Sequence, residues 1–234
     1  MLDQLGGGVV PLDASAHLSG PAENDVMDSD GATRIIVVPG LGGSGSDHWQ
    51  ALWAGARPHA RMVRQASWDD PQPDDWIAAI DAAISAAATP AVLVAHSLGC
   101  PAVAHWAARN PGNERIVGAL LVAPCDVERP DACAAIARFG PVPPTALPFR
   151  SVVVASRNDP YVEFSRAHCF ATRWGSAFVD AGALGHINAK SGLSDWSFGQ
   201  VLLDDLLAAT RDDRHARVAT LRGELSPPPP CFGL

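Results

Sequence analysis

Short apolar runs alternate with segments of helical periodicity along most of this chain. Runs rich in β-branched and small residues predict strands at 34–38, 61–64, 91–95, 116–122, 151–155 and 177–179. Helices are predicted at 47–55, 74–87, 98–109, 161–173 and 198–209. Strands that alternate with helices predict an α/β fold, in which a mostly parallel sheet of about six strands is covered by helices on both faces.

A serine lies at the junction between the third predicted strand and the helix after it, in the sequence Ala95-His96-Ser97-Leu98-Gly99. Small residues stand two positions before and two positions after this serine. The layout is typical of a nucleophile elbow, a turn so tight that larger flanking side chains would collide and the serine hydroxyl is exposed above the sheet. Alanine takes the first small position, where glycine is usual. Ser97 is therefore the candidate nucleophile.

A glycine-rich loop follows the first predicted strand and allows two interpretations. Gly40, Gly42 and Gly45 match the G-x-G-x-x-G pattern of dinucleotide-binding units. The next strand has no acidic residue at its end to hold a ribose, although Arg64 there could suit a phosphorylated ribose. A dinucleotide-binding protein therefore stays open as an alternative.

The same loop also fits the chemistry of acyl transfer. An oxyanion hole needs two backbone N–H groups that point at the developing negative charge, one of them from the residue after the nucleophile. Leu98 supplies the first N–H, and Leu41 in the glycine loop supplies the second. Glycine lets the backbone approach a substrate without a Cβ in the way, so Gly40 and Gly42 are expected to contact the substrate.

A serine nucleophile needs a histidine base and an acid that orients the histidine. Asp159 follows the fifth predicted strand and His186 follows the sixth, so both lie at the sheet edge where the elbow lies. The chain order serine, acid, histidine is that of hydrolases with a nucleophile elbow. Asp126 also follows a strand and is a competing acid. His96 is expected to pack behind the serine rather than to act as the base.

His48 and Trp49 begin the helix after the glycine loop, and they also allow two interpretations. In one, Ser46 or Asp47 caps the helix and Trp49 belongs to the core. In the other, His48 and Trp49 contact the substrate at the rim of the site.

With these residues in place, the chain resembles the family of retinoblastoma-binding protein nine and YdeN-like serine hydrolases. The resemblance covers about residues 33–210. It rests on VPGLGGS at 38–44, DHW at 47–49, Trp68 with DWI at 75–77, HSLG at 96–99, SRNDPY at 156–161 and GHIN at 185–188. The resemblance implies a compact α/β-hydrolase fold and a triad of Ser97, Asp159 and His186, but it implies no particular substrate.

Many hydrolases insert a cap domain where this chain has residues 126–150. The segment is short and rich in proline, with room for one helix near 132–139, so we expect no large cap domain and an open site. Such a site favours small or protruding acyl groups over long lipids.

Composition narrows the classes of protein. The net charge of −8 argues against nucleic acid as a partner. The sequence lacks an apolar run of membrane-spanning length and a signal peptide, so no membrane association is expected. Five cysteines without a C-x-x-C pair predict neither a disulfide framework nor a metal site, and they fit a reducing cytoplasm.

These observations predict a hydrolase domain over 33–222, preceded by a disordered extension over 1–32 and followed by a proline-rich tail over 223–234. The predicted function is that of a cytoplasmic serine hydrolase that cleaves carboxylic esters, with thioesters and amides less favoured and with no cofactor. The alternative from a different class is an α/β-hydrolase fold used as a protein-interaction module with weak or vestigial activity, so a protein partner stays open.

Overall fold

The computed structural model describes residues 32–87 and 89–224, with side chains as far as residue 213. The strands are β1 (Arg34–Val38), β2 (Ala60–Met62), β3 (Ala91–His96), β4 (Ile116–Val122), β5 (Arg150–Ala155) and β6 (Ala177–Asp180). The helices are α1 (Trp49–Ala56), α2 (Pro73–Ser85), α3 (Gly99–Arg109), α4 (Ala134–Ala137), α5 (Phe164–Trp174) and α6 (Ser197–Glu224), with a 3-10 turn at Ala189–Ser191. The predicted N-terminal extension up to residue 31, and the predicted tail from residue 225, lie outside the described residues.

The strands form one parallel sheet in the order β2-β1-β3-β4-β5-β6. The chain places β2 on one side of β1, returns to the other side for β3, and then adds each new strand beside the last. β1 and β3 are therefore neighbours where the strand order reverses. Ligands of such sheets bind in the crevice at the carboxyl ends of these two strands.

Two apolar layers enclose the sheet, because alternate residues of a strand point to opposite faces. Ile36 and Leu93 belong to the cluster that includes the buried sides of α2, α3 and α5. Ile35 and Val92 belong to the cluster on the other face, with α1 and α6. Burial on both faces explains why β1 and β3 are continuous apolar runs. The two layers confirm the predicted α/β architecture.

Two helix boundaries differ from the prediction by three residues or more. α6 continues to Glu224 instead of ending near residue 209, because 210–224 contains no proline and a single glycine, at 223. The first two residues of the predicted tail are thus helical. α5 begins at Phe164 rather than at 161, because Tyr161 belongs to a turn in which its N–H donates to the Asp159 carboxylate.

The connection between β4 and β5 contains one short helix, α4, and no further helix or strand. This agrees with the expectation that a large cap domain is absent at this point of the chain. Within the residues that the structure describes, no helix is both long and apolar enough to cross a membrane.

Candidate active site

Ser97 stands in a sharp turn between β3 and α3. Its φ of +53° lies in the left-handed region, which non-glycine residues rarely adopt. A Cβ on Gly99 would come within 2.4 Å of the Val38 carbonyl oxygen. A Cβ on Gly40 would come within 2.8 Å of the Ser97 Cβ. The turn therefore packs so closely on the end of β1 that glycine is required at both positions, and Gly40 has a steric reason to be glycine that needs no bound dinucleotide.

The structure brings Ser97, His186 and Asp159 together at the carboxyl edge of the sheet. Ser97 Oγ lies 2.8 Å from His186 Nε2. On the other side of the ring, His186 Nδ1 lies 2.9 and 2.8 Å from the two carboxylate oxygens of Asp159. The Asp159 side chain has no exposed surface, and that of His186 is 7% exposed. A hydroxyl, an imidazole and a buried carboxylate thus form one continuous chain of hydrogen bonds.

The competing acid, Asp126, is engaged elsewhere. Its carboxylate lies 3.3 Å from Arg166 Nε in an ion pair, and it accepts the backbone N–H of Glu128 at 3.2 Å. Asp159, and not Asp126, is therefore the acid that the structure places on the imidazole.

Side-chain hydrogen bonds join the loop after β5 to the loop after β6. Ser156 Oγ accepts the Leu184 N–H at 2.8 Å, and Asn158 Oδ1 accepts the Gly185 N–H at 2.7 Å. Within the loop after β6, Ser191 Oγ donates to the Leu184 carbonyl at 2.6 Å. The bonds of Ser156 and Asn158 fix the distance between the segment that carries Asp159 and the segment that carries His186.

The histidine loop is also held by side chains of β3 and of α1. His96 Nε2 donates to the His186 carbonyl at 2.9 Å, and the Trp49 indole N–H donates to the Ile187 carbonyl at 2.8 Å. Ile187 has a φ of +48°, a strained conformation for a β-branched residue. Trp49 is buried and does not line the cavity over Ser97. The expected contact of Trp49 with substrate is corrected: its indole anchors the histidine loop and belongs to the core.

The two amides predicted to bind an oxyanion are unpaired. Among the described residues, neither the Leu41 N–H nor the Leu98 N–H donates a hydrogen bond. They belong to segments in close contact, because a Cβ on Gly40 would lie 3.3 Å from the Leu98 nitrogen. Two free donors therefore flank Ser97, one from the glycine loop and one from the start of α3.

A buried glutamine that the sequence did not single out supports the glycine loop. Gln50 Nε2 donates to the carbonyls of Val38, at 3.3 Å, and Val94, at 3.0 Å. Its Oε1 accepts from Ser44 Oγ at 2.8 Å. Gln50 thus links the carboxyl ends of β1 and β3 to the loop that carries Leu41.

A cavity of about 510 Å³ opens over Ser97. Leu41, Ile136 and Tyr161 give it an apolar wall, and His48 lies in its lining as predicted. Gly40 and Gly42, however, do not line it, and their expected contact with substrate is corrected. Gly40 packs against the elbow instead.

Gly42 serves the conformation of the glycine loop. Its φ is +75°, and its N–H donates to the Trp68 carbonyl at 2.9 Å. The N–H of Gly43, next in the loop, donates to the Gly40 carbonyl at 3.0 Å.

His48 itself caps α1, in place of the expected Ser46 or Asp47. Its Nδ1 accepts the Gln50 N–H at 3.1 Å. Burial, with a smaller contribution from nearby His186, lowers the pKa of His48 to about 4. The ring is therefore neutral at neutral pH.

Two other buried groups beside the nucleophile are neutral as well. Burial, reinforced by the neighbouring histidines, lowers the pKa of His96 well below its usual range. Burial also raises the pKa of the Cys125 thiol to about 12, against the opposing effect of a hydrogen bond with Ser97. The described residues contain no group of three or more His, Cys, Asp or Glu side chains placed to hold a metal ion.

The parallel sheet, with a serine elbow after its β3 strand and acid and histidine loops after β5 and β6, defines an α/β-hydrolase. A sequence model of the serine hydrolase family matches residues 35–205, and the chain belongs to this family.

Solved structures agree with this assignment. The chain is similar to a YdeN-like hydrolase from Pectobacterium atrosepticum, with 33% identity, 76% of this chain and 92% of that chain covered, and a TM-score of 0.68. It is also similar to the ydeN gene product of B. subtilis, with 19% identity, coverage of 76% and 100%, and a TM-score of 0.63. Est1E from Butyrivibrio proteoclasticus shares the fold, with 13% identity, coverage of 82% and 90%, and a TM-score of 0.54. These similarities confirm the resemblance to YdeN-like serine hydrolases. No curated protein matches the chain in a sequence comparison.

Proposed function

We propose that this serine hydrolase cleaves carboxylic esters of small acyl groups through a triad of Ser97, His186 and Asp159. The observation that carries the proposal is the unbroken chain of hydrogen bonds from Ser97 Oγ through the imidazole of His186 to the buried Asp159. A serine hydroxyl is a weak nucleophile until an adjacent base accepts its proton. The bond to His186 Nε2 supplies that base.

The reaction follows from the positions of these groups. Ser97 Oγ attacks the ester carbonyl while His186 Nε2 takes its proton, and the Leu41 and Leu98 N–H groups bind the developing oxyanion. The imidazolium then protonates the leaving alcohol, and an acyl group remains on Ser97. A water molecule, deprotonated by His186, attacks this acyl-enzyme and releases the acid. Asp159 holds the ring and stabilises its positive charge in both steps.

The cavity supports a small acyl group. Its wall of Leu41, Ile136 and Tyr161 is apolar, and the connection between β4 and β5 adds only α4 above it. Leu41 and Tyr161 are 39% and 47% exposed, so part of the apolar wall faces solvent. A short chain can be covered by this wall, whereas a long chain would extend into water.

The test is a panel of p-nitrophenyl esters from acetate to laurate. The proposal expects kcat/KM to be greatest for short chains, and it expects Ser97→Ala to abolish turnover. Butyrate presented as an ester, a thioester and a p-nitroanilide then ranks the leaving groups, with the anilide slowest. A folded wild-type protein without turnover, or a Ser97→Ala variant that matches wild type, would reject the enzyme and favour a protein-interaction module.

The cytoplasm is the proposed location. The cysteines that the structure describes, Cys100, Cys125, Cys133 and Cys169, are all free thiols, as expected in a reducing compartment. Fractionation of cells that produce the protein tests this placement.

A further inference from the structure

One side of the cavity over Ser97 is formed by the start of α1 and by the chain just after His186. His48 lines this side from α1, and Asn188 and Lys190 line it from the loop. The Trp49 indole, which donates to the Ile187 carbonyl at 2.8 Å, holds the two segments against each other. We call the three lining side chains His48, Asn188 and Lys190 the donor corner.

The hydrogen-bond partners of His48 determine which nitrogen carries its proton. Nδ1 accepts the N–H of Gln50, so the proton of the neutral ring is on Nε2. Among the described residues, His48 Nε2 has no hydrogen-bond partner. The atom is not fully buried, so a ligand can reach it. His48 is only 6% exposed and lines the cavity, so its remaining accessible surface belongs to that cavity. Its Nε2–H is a donor without an acceptor.

The same reasoning applies to Asn188. Its Oδ1 accepts the backbone N–H of Lys190 at 3.0 Å, which assigns the oxygen to that side of the amide. The Nδ2 amino group is left as a donor. The Lys190 ammonium has donors only. All three side chains of the donor corner therefore offer N–H groups, and none offers an acceptor.

The charged side chains that line the cavity also favour an anionic group. Its charged side chains are Arg129, Asp131 and Lys190. Arg129 binds both carboxylate oxygens of Asp131, so these two charges neutralise each other. Lys190 has no ion-pair partner among the described residues and is the uncompensated charge. In a chain of net charge −8, Lys190 thus contributes a positive charge to the lining of the cavity over the candidate nucleophile.

We propose that the donor corner binds a carboxylate group of the substrate, through His48 Nε2–H, Asn188 Nδ2–H and the Lys190 ammonium. A carboxylate accepts hydrogen bonds and donates none, which matches a set of donors without an acceptor. This inference rests on the proposed function, since it assigns the ester substrate an acidic group. The carboxylate belongs either to the acyl part or to the alcohol part, and the substrates of the test separate these two sources.

The test compares ester pairs that differ in one carboxylate. Mono-p-nitrophenyl glutarate against p-nitrophenyl pentanoate places the charge on the acyl part. 4-Carboxyphenyl butanoate against phenyl butanoate places it on the alcohol part. Wild type is expected to prefer the charged ester of one pair by about 10-fold in kcat/KM, the size of a hydrogen bond to a charged group. The pair that shows the preference identifies the source.

Variants then assign the preference to the donor corner. Lys190→Met is expected to lower the charged-to-neutral ratio by about 10-fold, whereas Lys190→Arg retains most of it. His48→Asn keeps a helix-capping acceptor but removes the Nε2–H, and it is expected to lower the ratio too. Arg173→Met, at an exposed position outside the cavity, makes the same change in net charge and should retain the wild-type ratio.

A ratio near one for both pairs in wild type, or a preference that survives Lys190→Met and His48→Asn, would overturn the donor corner while esterase activity stands. If no ester is hydrolysed, the proposed function fails. The affinities for the charged and the neutral ester then test the donor corner by themselves. Calorimetric titration of Ser97→Ala with mono-p-nitrophenyl glutarate and p-nitrophenyl pentanoate provides that decision. Tighter binding of the glutarate, lost on adding Lys190→Met, supports the donor corner, and equal affinities contradict it.

Discussion

The turn that carries Ser97 and the loop that carries His186 meet at one hydrogen bond, but they are held in place by different means. The serine turn depends on close contact: Gly99 and Gly40 let the backbones of β1 and α3 approach to distances that a Cβ would forbid. The histidine loop depends on hydrogen bonds from distant side chains, such as Trp49 and His96.

This difference predicts how the serine turn and the histidine loop respond to substitution. A packed glycine turn has no room to relax, so an added methyl group should affect the stability of the whole domain. A hydrogen-bonded loop can lose one bond and keep its other anchors, so its failure should be local and visible chiefly in the rate of reaction. The substitutions that test this contrast begin with Asp159, the acid that holds the ring of His186.

The largest effect is expected at the acid. Asp159→Asn keeps the size of the side chain but removes the charge that stabilises the imidazolium of His186, so kcat should fall by about 10⁴-fold. Asp126→Asn, the matched control, removes a carboxylate that pairs with Arg166 and should leave kcat near wild type. Hydrolysis of p-nitrophenyl butyrate, with circular dichroism to verify folding, measures both. A greater loss from Asp126→Asn than from Asp159→Asn would overturn the assignment.

Acid should weaken the fold through His48. Its pKa is about 4 in the folded chain and 6.5 when unperturbed, so between these values the unfolded chain binds a proton that the folded chain does not. The free energy of unfolding should therefore fall as the pH drops from 6.5 to 4, by up to about 3 kcal/mol from this group.

Urea unfolding of wild type and His48→Asn at several pH values in this window measures the effect of His48. The variant should show a shallower decline, with the remaining slope arising partly from buried His96, whose pKa is also lowered. Identical slopes would show that His48 is not held neutral in the folded protein.

A substitution in the serine turn should lower the stability of the domain. Gly99→Ala brings a methyl group to within 2.4 Å of the Val38 carbonyl oxygen and should lower the free energy of unfolding by about 2 kcal/mol. Gly55→Ala, with nothing within 4 Å of the new methyl, lies in α1 and should raise stability by about 0.5–1 kcal/mol. Chemical denaturation reports both changes. If Gly99→Ala is as stable as wild type, the turn is not as tightly packed as described.

The smallest effect is expected from the loss of one hydrogen bond to the histidine loop. Trp49→Phe keeps an aromatic ring but removes the N–H that binds the Ile187 carbonyl, so kcat should fall by about fivefold, equivalent to about 1 kcal/mol. Trp53→Phe removes a comparable bond to the Asp195 carbonyl, away from the histidine, and should lose stability without loss of kcat. Equal effects on kcat would mean that the Trp49 bond has no special role in placing His186.

The same contrast explains what the sequence could predict. A nucleophile elbow requires small residues at fixed, neighbouring positions, so Ser97 and its turn were recognisable within five residues. Chain order and strand ends indicate Asp159 and His186, and the structure places His186 against Ser97 and Asp159 against His186.

What the sequence did not show were contacts between residues far apart in the chain. Trp49 bonds to a carbonyl 138 positions away, and this partner, rather than any substrate, explains its place after the glycine loop. Gln50 gave no signal, because its role depends on two strand ends that only the fold brings together. The sequence favours Ser46 or Asp47 as the cap of α1, since a histidine that accepts a backbone N–H is an unusual cap.

The most direct test of the Ser97 triad is reaction with a fluorophosphonate probe, followed by mass spectrometry of the peptides. The probe is attacked by a serine that an adjacent base activates. A triad centred on Ser97 predicts a single adduct on Ser97 in wild type and no adduct in Ser97→Ala. A correctly folded wild-type protein that stays unlabelled, or an adduct on any other residue, would contradict it.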